Sequence, residues 1–260
     1  MTGDLAGKVA VVTGAARDRS IGSGIALGLA DRGADVVVSD VAHEREAAGR
    51  IAEIEARGRR AAFIAADVAD PADCERLIEA AAERFGRVDI FCANAGVAYW
   101  QRLADVTPDA FDEITSVNLH GVFFSCRAAA ARMRAQGDGG RIIVTSSVNA
   151  VMPFATLGVY GATKHAVAHL VAVMAREWAA DGITVNHVGP GWVDSQINDR
   201  SPQFATEQLR AAARADMPLG QRPVAQEEIG EAVAYFASPG AAMTTGAFLR
   251  VDGGSVIGKY

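Results

Sequence analysis

The stretch KVAVVTGAARDRSIG, from Lys8 to Gly22, governs the architecture expected of this 260-residue chain. Lys8–Thr13 is a short run of apolar, mostly β-branched residues. A strand apolar on both faces belongs inside a parallel sheet rather than at a wetted surface. A loop containing Gly14 follows, and then the helical stretch Gly22–Arg32. Glycines between a buried strand and a helix let the backbone turn tightly and approach a pyrophosphate, whose charge the helix N-terminus meets. Gly14, Arg17, Ser20, Ile21 and Gly22 are therefore candidates to contact such a ligand.

Working outward, the same alternation runs almost to the end. Val36–Ser39 is a second β-branched run, followed by the charged helix His43–Arg57. Ala61–Ala65, Val88–Ala93, Arg141–Thr145 and Thr184–Val188 repeat the strand signal with helical segments between them. Buried strands separated by helices predict a single α/β domain over residues 1–260, a doubly wound Rossmann sheet of about seven strands. Residues 194–218 break the pattern: the stretch is polar, carries Asn198, Asp199, Ser201 and Pro202, and then turns helical. An insertion beyond a strand's carboxyl end is where a substrate lid sits; a plain surface excursion is the alternative.

Composition removes several function classes. A net charge of −6 speaks against a nucleic-acid or anionic-membrane surface, which needs clustered positive charge. The one dense basic stretch, Arg57 to Arg60, falls where a helix should end in solvent. No apolar run approaches the roughly 18 residues needed to span a bilayer, and no signal-like N-terminus is present, so a cytoplasmic protein is expected. Cys74, Cys92 and Cys126 lack metal-type spacing and read as reduced thiols. His165 and His169 lie one helical turn apart, but with no third ligand nearby no metal is expected.

Two further positions point to chemistry. Asp40 closes the second strand, 18 residues after Gly22, where an acid accepts the hydroxyls of an adenine ribose and repels a 2′-phosphate. Arg17 and Arg19 argue the other way, because a guanidinium pairs with that phosphate. A carboxylate some 4 Å from a phosphate costs on the order of several kcal/mol, whereas a loop arginine can turn to solvent, so NAD is the expected cofactor. Capping of the next helix is the alternative role for Asp40. Tyr160 and Lys164 stand four apart at the start of a helical run, which places phenol and ammonium on one face. The ammonium is expected to lower the phenol's pKa towards the range of a general acid/base. Lysine is informative here because the chain has only three among its 25 basic residues. Ser147, 13 residues before Tyr160, ends a strand where its hydroxyl can hold a substrate oxygen, and Asn118 is a polar residue within a long helical segment, suited to binding water.

Together these residues resemble the short-chain dehydrogenase/reductase family over essentially the whole chain. The matching pieces are TGAARDRSIG, Asp67-Val68, Ala93 to Gly96, Asn118, Ser147, YGATK at Tyr160–Lys164, Asn186 to Gly191 and Asp252 to Gly254. The resemblance implies that Tyr160 is the acid/base, Ser147 orients the carbonyl, and Lys164 binds the nicotinamide ribose. It implies that Asn118 holds a water in the proton relay. Asp40 and Val41 would meet the ribose end and Asp67 and Val68 the adenine. Asn94, Ala95 and Gly96 would meet the adenosine side, and Pro190, Gly191, Val193 and Ser195 the nicotinamide. Two departures stand out: Ser20 replaces the usual middle glycine in a loop two residues longer, and Ala93 replaces an asparagine. That loop looks like those of divergent enoyl-acyl-carrier-protein reductases, which separate tyrosine and lysine by six residues. Seven before Lys164 stands Leu157, which cannot serve, so alcohol/ketone chemistry is expected.

The expected reaction is hydride transfer between NAD(H) and a secondary alcohol or ketone, with no nucleic-acid or membrane partner. A 3-ketoacyl reductase acting on a carrier-linked chain and a non-catalytic NAD-binding regulator are the alternatives. Asn149, Phe154, Trp192, Gln196 and Asn198 mix amides with aromatic platforms, which suits a small hydroxylated substrate such as a sugar or polyol; amides that merely cap the lid's helix are the other reading. SSVNAVMPF and GPGWVDSQIN also resemble the matching parts of glucose 1-dehydrogenases. By the family resemblance the chain is a homotetramer, its helices near Phe111–Arg134 and Gly158–Ala180 packing on symmetry mates.

Overall fold

The computed structural model describes residues 3–200 and 207–257, so Ser201 and Pro202 of the expected lid lie outside the described residues. The chain runs β1 (Val9–Thr13), α1 (Ile21–Asp31), β2 (Asp35–Asp40), α2 (Glu44–Glu55), β3 (Ala61–Ala65), α3 (Pro71–Phe85) and β4 (Ile90–Ala93). It continues through α4 (Pro108–Thr115), a π-helical turn over Ser116–Gly121, α5 (Val122–Gln136), β5 (Gly140–Thr145) and α6 (Gly158–Trp178). β6 (Ile183–Pro190), α7 (Glu207–Ala215), α8 (Gln226–Ala237) and β7 (Phe248–Val251) complete it. The strands form one parallel seven-stranded sheet in the order β3-β2-β1-β4-β5-β6-β7, as the alternation predicts.

The strand pattern explains the two layers. In β1, Ala10 and Val12 point into a core with Ile25, Leu29, Ile229 and Phe236 of α1 and α8, while Val11 points into the opposite core with Leu77, Val122 and Val167 of α3, α5 and α6. Both faces are buried, which is why the sequence reads as continuous apolar runs instead of alternation.

Where boundaries depart from the sequence reading, side chains account for it. β4 begins at Ile90 rather than Val88 because the Gln136 side chain takes both backbone groups of Val88: Val88 N donates to Gln136 Oε1 at 2.8 Å and Gln136 Nε2 donates to Val88 O at 2.9 Å. β6 extends to Pro190 through pairing with β7, a four-residue strand containing Arg250 that the sequence reading did not single out. The basic run does not simply fray into solvent either. Arg57 donates to Asp31 at 2.7 Å, Arg59 to Gly33 O at 3.2 Å and Arg60 to Asp35 at 2.7 Å. No helix among the described residues is long and apolar enough to cross a membrane.

β1 and β4 are neighbours, so the connections from these central strands leave in opposite directions and open a crevice at the strands' carboxyl ends. The position of α1 over that crevice is set by backbone-to-backbone packing on α8. A Cβ on Gly24 would lie 2.3 Å from Gln226 O, and one on Gly230 would lie 2.3 Å from Gly24 O. Gly24→Ala gains about 1 kcal/mol of helix propensity, but overpacking of this kind costs on the order of 1–3 kcal/mol or more. The melting temperature is expected to fall by several degrees. Gly49→Ala, in exposed α2 with nothing near its Cβ, is expected to raise it instead. An unchanged melting temperature for Gly24→Ala would show that α1 and α8 can separate without cost.

Candidate active site

A cavity of 510 Å³ fills the crevice. Its floor is the phosphate-type loop. Gly14 has φ +65°, and a Cβ there would sit 2.9 Å from Ala95 Cα; a Cβ on Gly22 would sit 2.3 Å from Gly14 O. Both positions therefore require glycine. Ser20, in place of a glycine, is the N-cap of α1: its Oγ accepts from Ser23 N at 3.1 Å and donates to Arg17 O at 2.8 Å. Buried Arg50 reaches from α2 to Asp18 at 3.2 Å. The longer loop is thus held at both Asp18 and Ser20, and the dipole of α1 points from this end into the cavity.

Of the two loop arginines, Arg19 stays half exposed at the surface while forming ion pairs, and Arg17 is drawn to a neighbouring imidazole instead of solvent. Arg19 donates to Asp199 at 3.1 Å and lies 3.9 Å from Asp194, while its carbonyl accepts from Gln196 N at 3.0 Å. Arg17 contacts the imidazole of His43 through Nε and a terminal nitrogen, at 3.0 and 2.6 Å. Opposite charges and an imidazole acceptor within reach outcompete water.

Asp40 and Val41 lie on the cavity wall at the end of β2. The N-cap of α2 is His43, so the capping alternative for Asp40 falls away. Its carboxylate instead accepts from Val41 N at 3.0 Å and, more weakly, from Ala16 N at 3.4 Å. Burial holds this carboxyl above its usual pKa, against the lowering effects of the hydrogen bonds from Ala16 N and Val41 N and of the Arg17 charge. Asp67 also lines the wall, but its Oδ1 closes a local turn by accepting from Ala69 N at 2.9 Å, and Val68 packs beneath it.

Two expected contacts prove to be clasps. Asn94 donates to Thr13 O at 2.9 Å and Gly14 O at 3.2 Å and accepts from Thr145 Oγ1 at 3.0 Å. Ala95 and Gly96 continue the wall, where a Cβ on Gly96 would stand 3.2 Å from Asn118 Oδ1. Asn118 sits in the π-helical turn. Its Oδ1 accepts from Val97 N at 2.8 Å and its Nδ2 donates to Val97 O at 2.8 Å and towards Thr163 Oγ1 at 3.5 Å. With both amide protons used, the side chain keeps a single acceptor lone pair for water, so its main work is to fix the Val97 loop.

Ser147, Tyr160 and Lys164 converge on the cavity as the sequence predicts. Ser147, two residues past β5, lines the cavity beside Tyr160 and accepts from Asn149 N at 3.1 Å. One turn along α6, Lys164 is 3% exposed, donates from Nζ to Thr145 O at 2.9 Å and lies 5.5 Å from the Tyr160 ring centre. The expected lowering of the phenol is not what the environment produces. Burial raises Tyr160, with the Ser147 hydroxyl opposing, and burial brings Lys164 down to about 8. Desolvation disfavours both charged forms and outweighs their mutual attraction.

The other end of the cavity is made by Asn149, Phe154, Trp192, Gln196 and Asn198, with Pro190, Gly191, Val193 and Ser195 between it and the sheet. Asn198 donates to Val193 O at 3.0 Å, in line with the local-capping reading for that one amide. Among the described residues, buried Trp192 Nε1 and Gln196 Oε1 have no hydrogen-bond partner, a donor and an acceptor open to a ligand. Sequence reasoning missed Trp100, Glu113 and Ser116 on this wall and His43 beside the loop. The position of Trp100 beyond β4's carboxyl end was the available signal.

Residues 14–255 match the family model described as enoyl-(acyl carrier protein) reductase. The chain is 37% identical to an L-rhamnose 1-dehydrogenase (NAD(P)(+)) of a Sphingomonas strain, over 97% of this chain and 98% of the relative. It is 36% identical to the L-2,3-butanediol dehydrogenase of Corynebacterium glutamicum, over 95% and 98%. The crystal structure of carveol dehydrogenase from Mycobacterium avium, in complex with NAD, superposes with a TM-score of 0.92 at 29% identity, covering 98% of this chain and 100% of that one. By that end-to-end likeness in sequence and fold, the chain belongs to the short-chain dehydrogenase/reductase family.

Proposed function

We propose that the protein is an NAD(H)-dependent oxidoreductase that interconverts a secondary alcohol and a ketone. The observation that carries this reading is the convergence of Ser147, Tyr160 and Lys164 on one cavity wall, with the Lys164 ammonium 5.5 Å from the Tyr160 ring centre. The cavity suits a dinucleotide: a glycine-lined loop at a helix N-terminus faces the pyrophosphate position, and a carboxylate at the end of β2 faces the ribose. A bound nicotinamide supplies or accepts the hydride. The Ser147 hydroxyl holds the substrate oxygen, and Tyr160 gives or takes a proton at that same oxygen. Lys164, anchored on Thr145 O, keeps a positive charge beside the phenol and offers its remaining protons to a ribose. Leu157, buried at the start of α6, stands where the enoyl-type tyrosine would be, which favours alcohol over enoyl chemistry. A small hydroxylated substrate is supported by Asn149, by Trp192 Nε1 and Gln196 Oε1, which have no partner among the described residues, and by the sugar and diol named for two relatives. The location is read as cytoplasmic. The assembly is read as a homotetramer packed through α5 and α6, where Val173 lies exposed.

Tyr160→Phe is expected to lower kcat by about 10²- to 10⁴-fold with NADH binding nearly intact. Because burial raises the phenol, and oxidation needs it deprotonated, wild-type alcohol oxidation should climb with pH through the alkaline range, whereas ketone reduction should not. A variant keeping more than about a tenth of wild-type kcat would remove Tyr160 from its role.

Asp40→Ala is expected to narrow the preference for NAD(H) over NADP(H), chiefly by weakening NAD(H). Equal kcat/KM for the two cofactors in the wild type would overturn the assignment. Light scattering at micromolar concentration should give about four times the 27.1 kDa chain mass, and a monomer would refute the assembly.

A further inference from the structure

We propose that His43 sets the cofactor preference by holding Arg17 in a hydrogen bond that keeps its guanidinium from a 2′-phosphate on the adenine ribose. The inference rests on reading the cavity as a nicotinamide-dinucleotide site. Arg17 and Asp40 line the same end of that cavity, so both charges face the position where NAD and NADP differ. A guanidinium is the side chain best suited to bidentate phosphate binding, and an unrestrained Arg17 would work against Asp40.

Arg17 is restrained. Its Nε lies 3.0 Å and its terminal nitrogen 2.6 Å from His43 Nε2. A guanidinium can only donate, so Nε2 is the acceptor and the imidazole carries its proton on Nδ1. That nitrogen faces Glu46 Oε1 at 3.4 Å. The order is then cation, neutral ring, carboxylate, with Glu46 fixing the tautomer that leaves Nε2 free to accept. The other charges nearby are engaged elsewhere: Asp18 with Arg50 and Arg19 with Asp199.

The backbone gives an independent reason to regard His43 as placed for this contact. It has φ +73° and ψ 33°, a left-handed conformation that non-glycine residues rarely adopt. It is also the N-cap of α2, where serine, threonine or aspartate would satisfy an open N–H, yet its side chain makes no capping bond. Relaxed backbone and helix capping are both given up at the one position whose ring reaches Arg17. Strain held at such a position points to a role in function.

The test uses the full-length protein with His43→Gly, which deletes the ring and relaxes the backbone, together with Arg17→Ala and the double variant. Steady-state kinetics gives the ratio of kcat/KM for NADP against NAD. Calorimetry gives Kd for adenosine 2′,5′-bisphosphate and for adenosine 5′-monophosphate, which read the ribose end without turnover. His43→Gly should raise the NADP:NAD ratio about tenfold and tighten the bisphosphate by a similar factor, with the monophosphate little changed. Both gains should disappear in the double variant. His43→Asn tolerates the left-handed backbone, and its shorter side chain carries no acceptor at the Nε2 position, so the same result is expected if the glycine variant folds poorly. A ratio within about twofold of wild type in a folded variant overturns the proposal, as does a gain that survives loss of Arg17. Wild-type protein that binds neither the monophosphate nor NAD(H) would sink the reading of the cavity itself, and this proposal with it.

Discussion

Asn94 bridges the carboxyl ends of the central strands, donating to Thr13 O and Gly14 O beyond β1 and accepting from Thr145 Oγ1 of β5. Thr13 Oγ1 returns the favour by accepting from Asn94 N and Ala95 N, each at 3.0 Å. Where parallel strands end, backbone groups lose their ladder partners, and groups left buried without partners would cost about 1–3 kcal/mol apiece. This cluster satisfies them at the switch point of the sheet, so the crevice can stay open without filling with water-bound backbone. The loop below it, the Val97 segment clasped by Asn118 and the Lys164 anchor on Thr145 O all hang from the same few residues.

Burial around that crevice shifts its ionisable groups towards their neutral forms. Lys164 is brought down to about 8 by burial, and His187, stacked on Phe248 at 4.4 Å, down to about 4. Charge is concentrated instead at the rim, in the Arg17, Asp40 and Arg19–Asp199 neighbourhood. A desolvated interior with a charged rim suits a reaction whose proton moves at one point while a charged ligand is gripped at another.

Much of this was legible from residue order. Strands apolar on both faces and separated by helices specify a parallel sheet almost by themselves, and Tyr160 and Lys164 share a helix face by arithmetic. What stayed hidden depended on contacts distant in sequence. Nothing local announces that Gln136 shortens β4 or that Asn94 and Asn118 spend their amides on backbone. Nor does anything local tie Arg17 to a histidine 26 residues on. The direction of the Tyr160 shift was misjudged for the same reason, since a one-dimensional reading sees the nearby lysine and not the desolvation around both groups.

The glycine-to-glycine seam between α1 and α8 also constrains how the molecule can be made. α1 leaves the ribosome well before α8, yet its Ile25 and Leu29 share a core with Ile229, Val233 and Phe236 of that later helix. Until that later helix emerges, α1 and α2 cover only part of this face, and the apolar surface that α8 buries over β5 and β6 stays open. Synthesis at about 5–20 residues per second leaves this apolar surface waiting on the order of ten seconds or more, a window in which a chaperone or a neighbouring chain can reach it first.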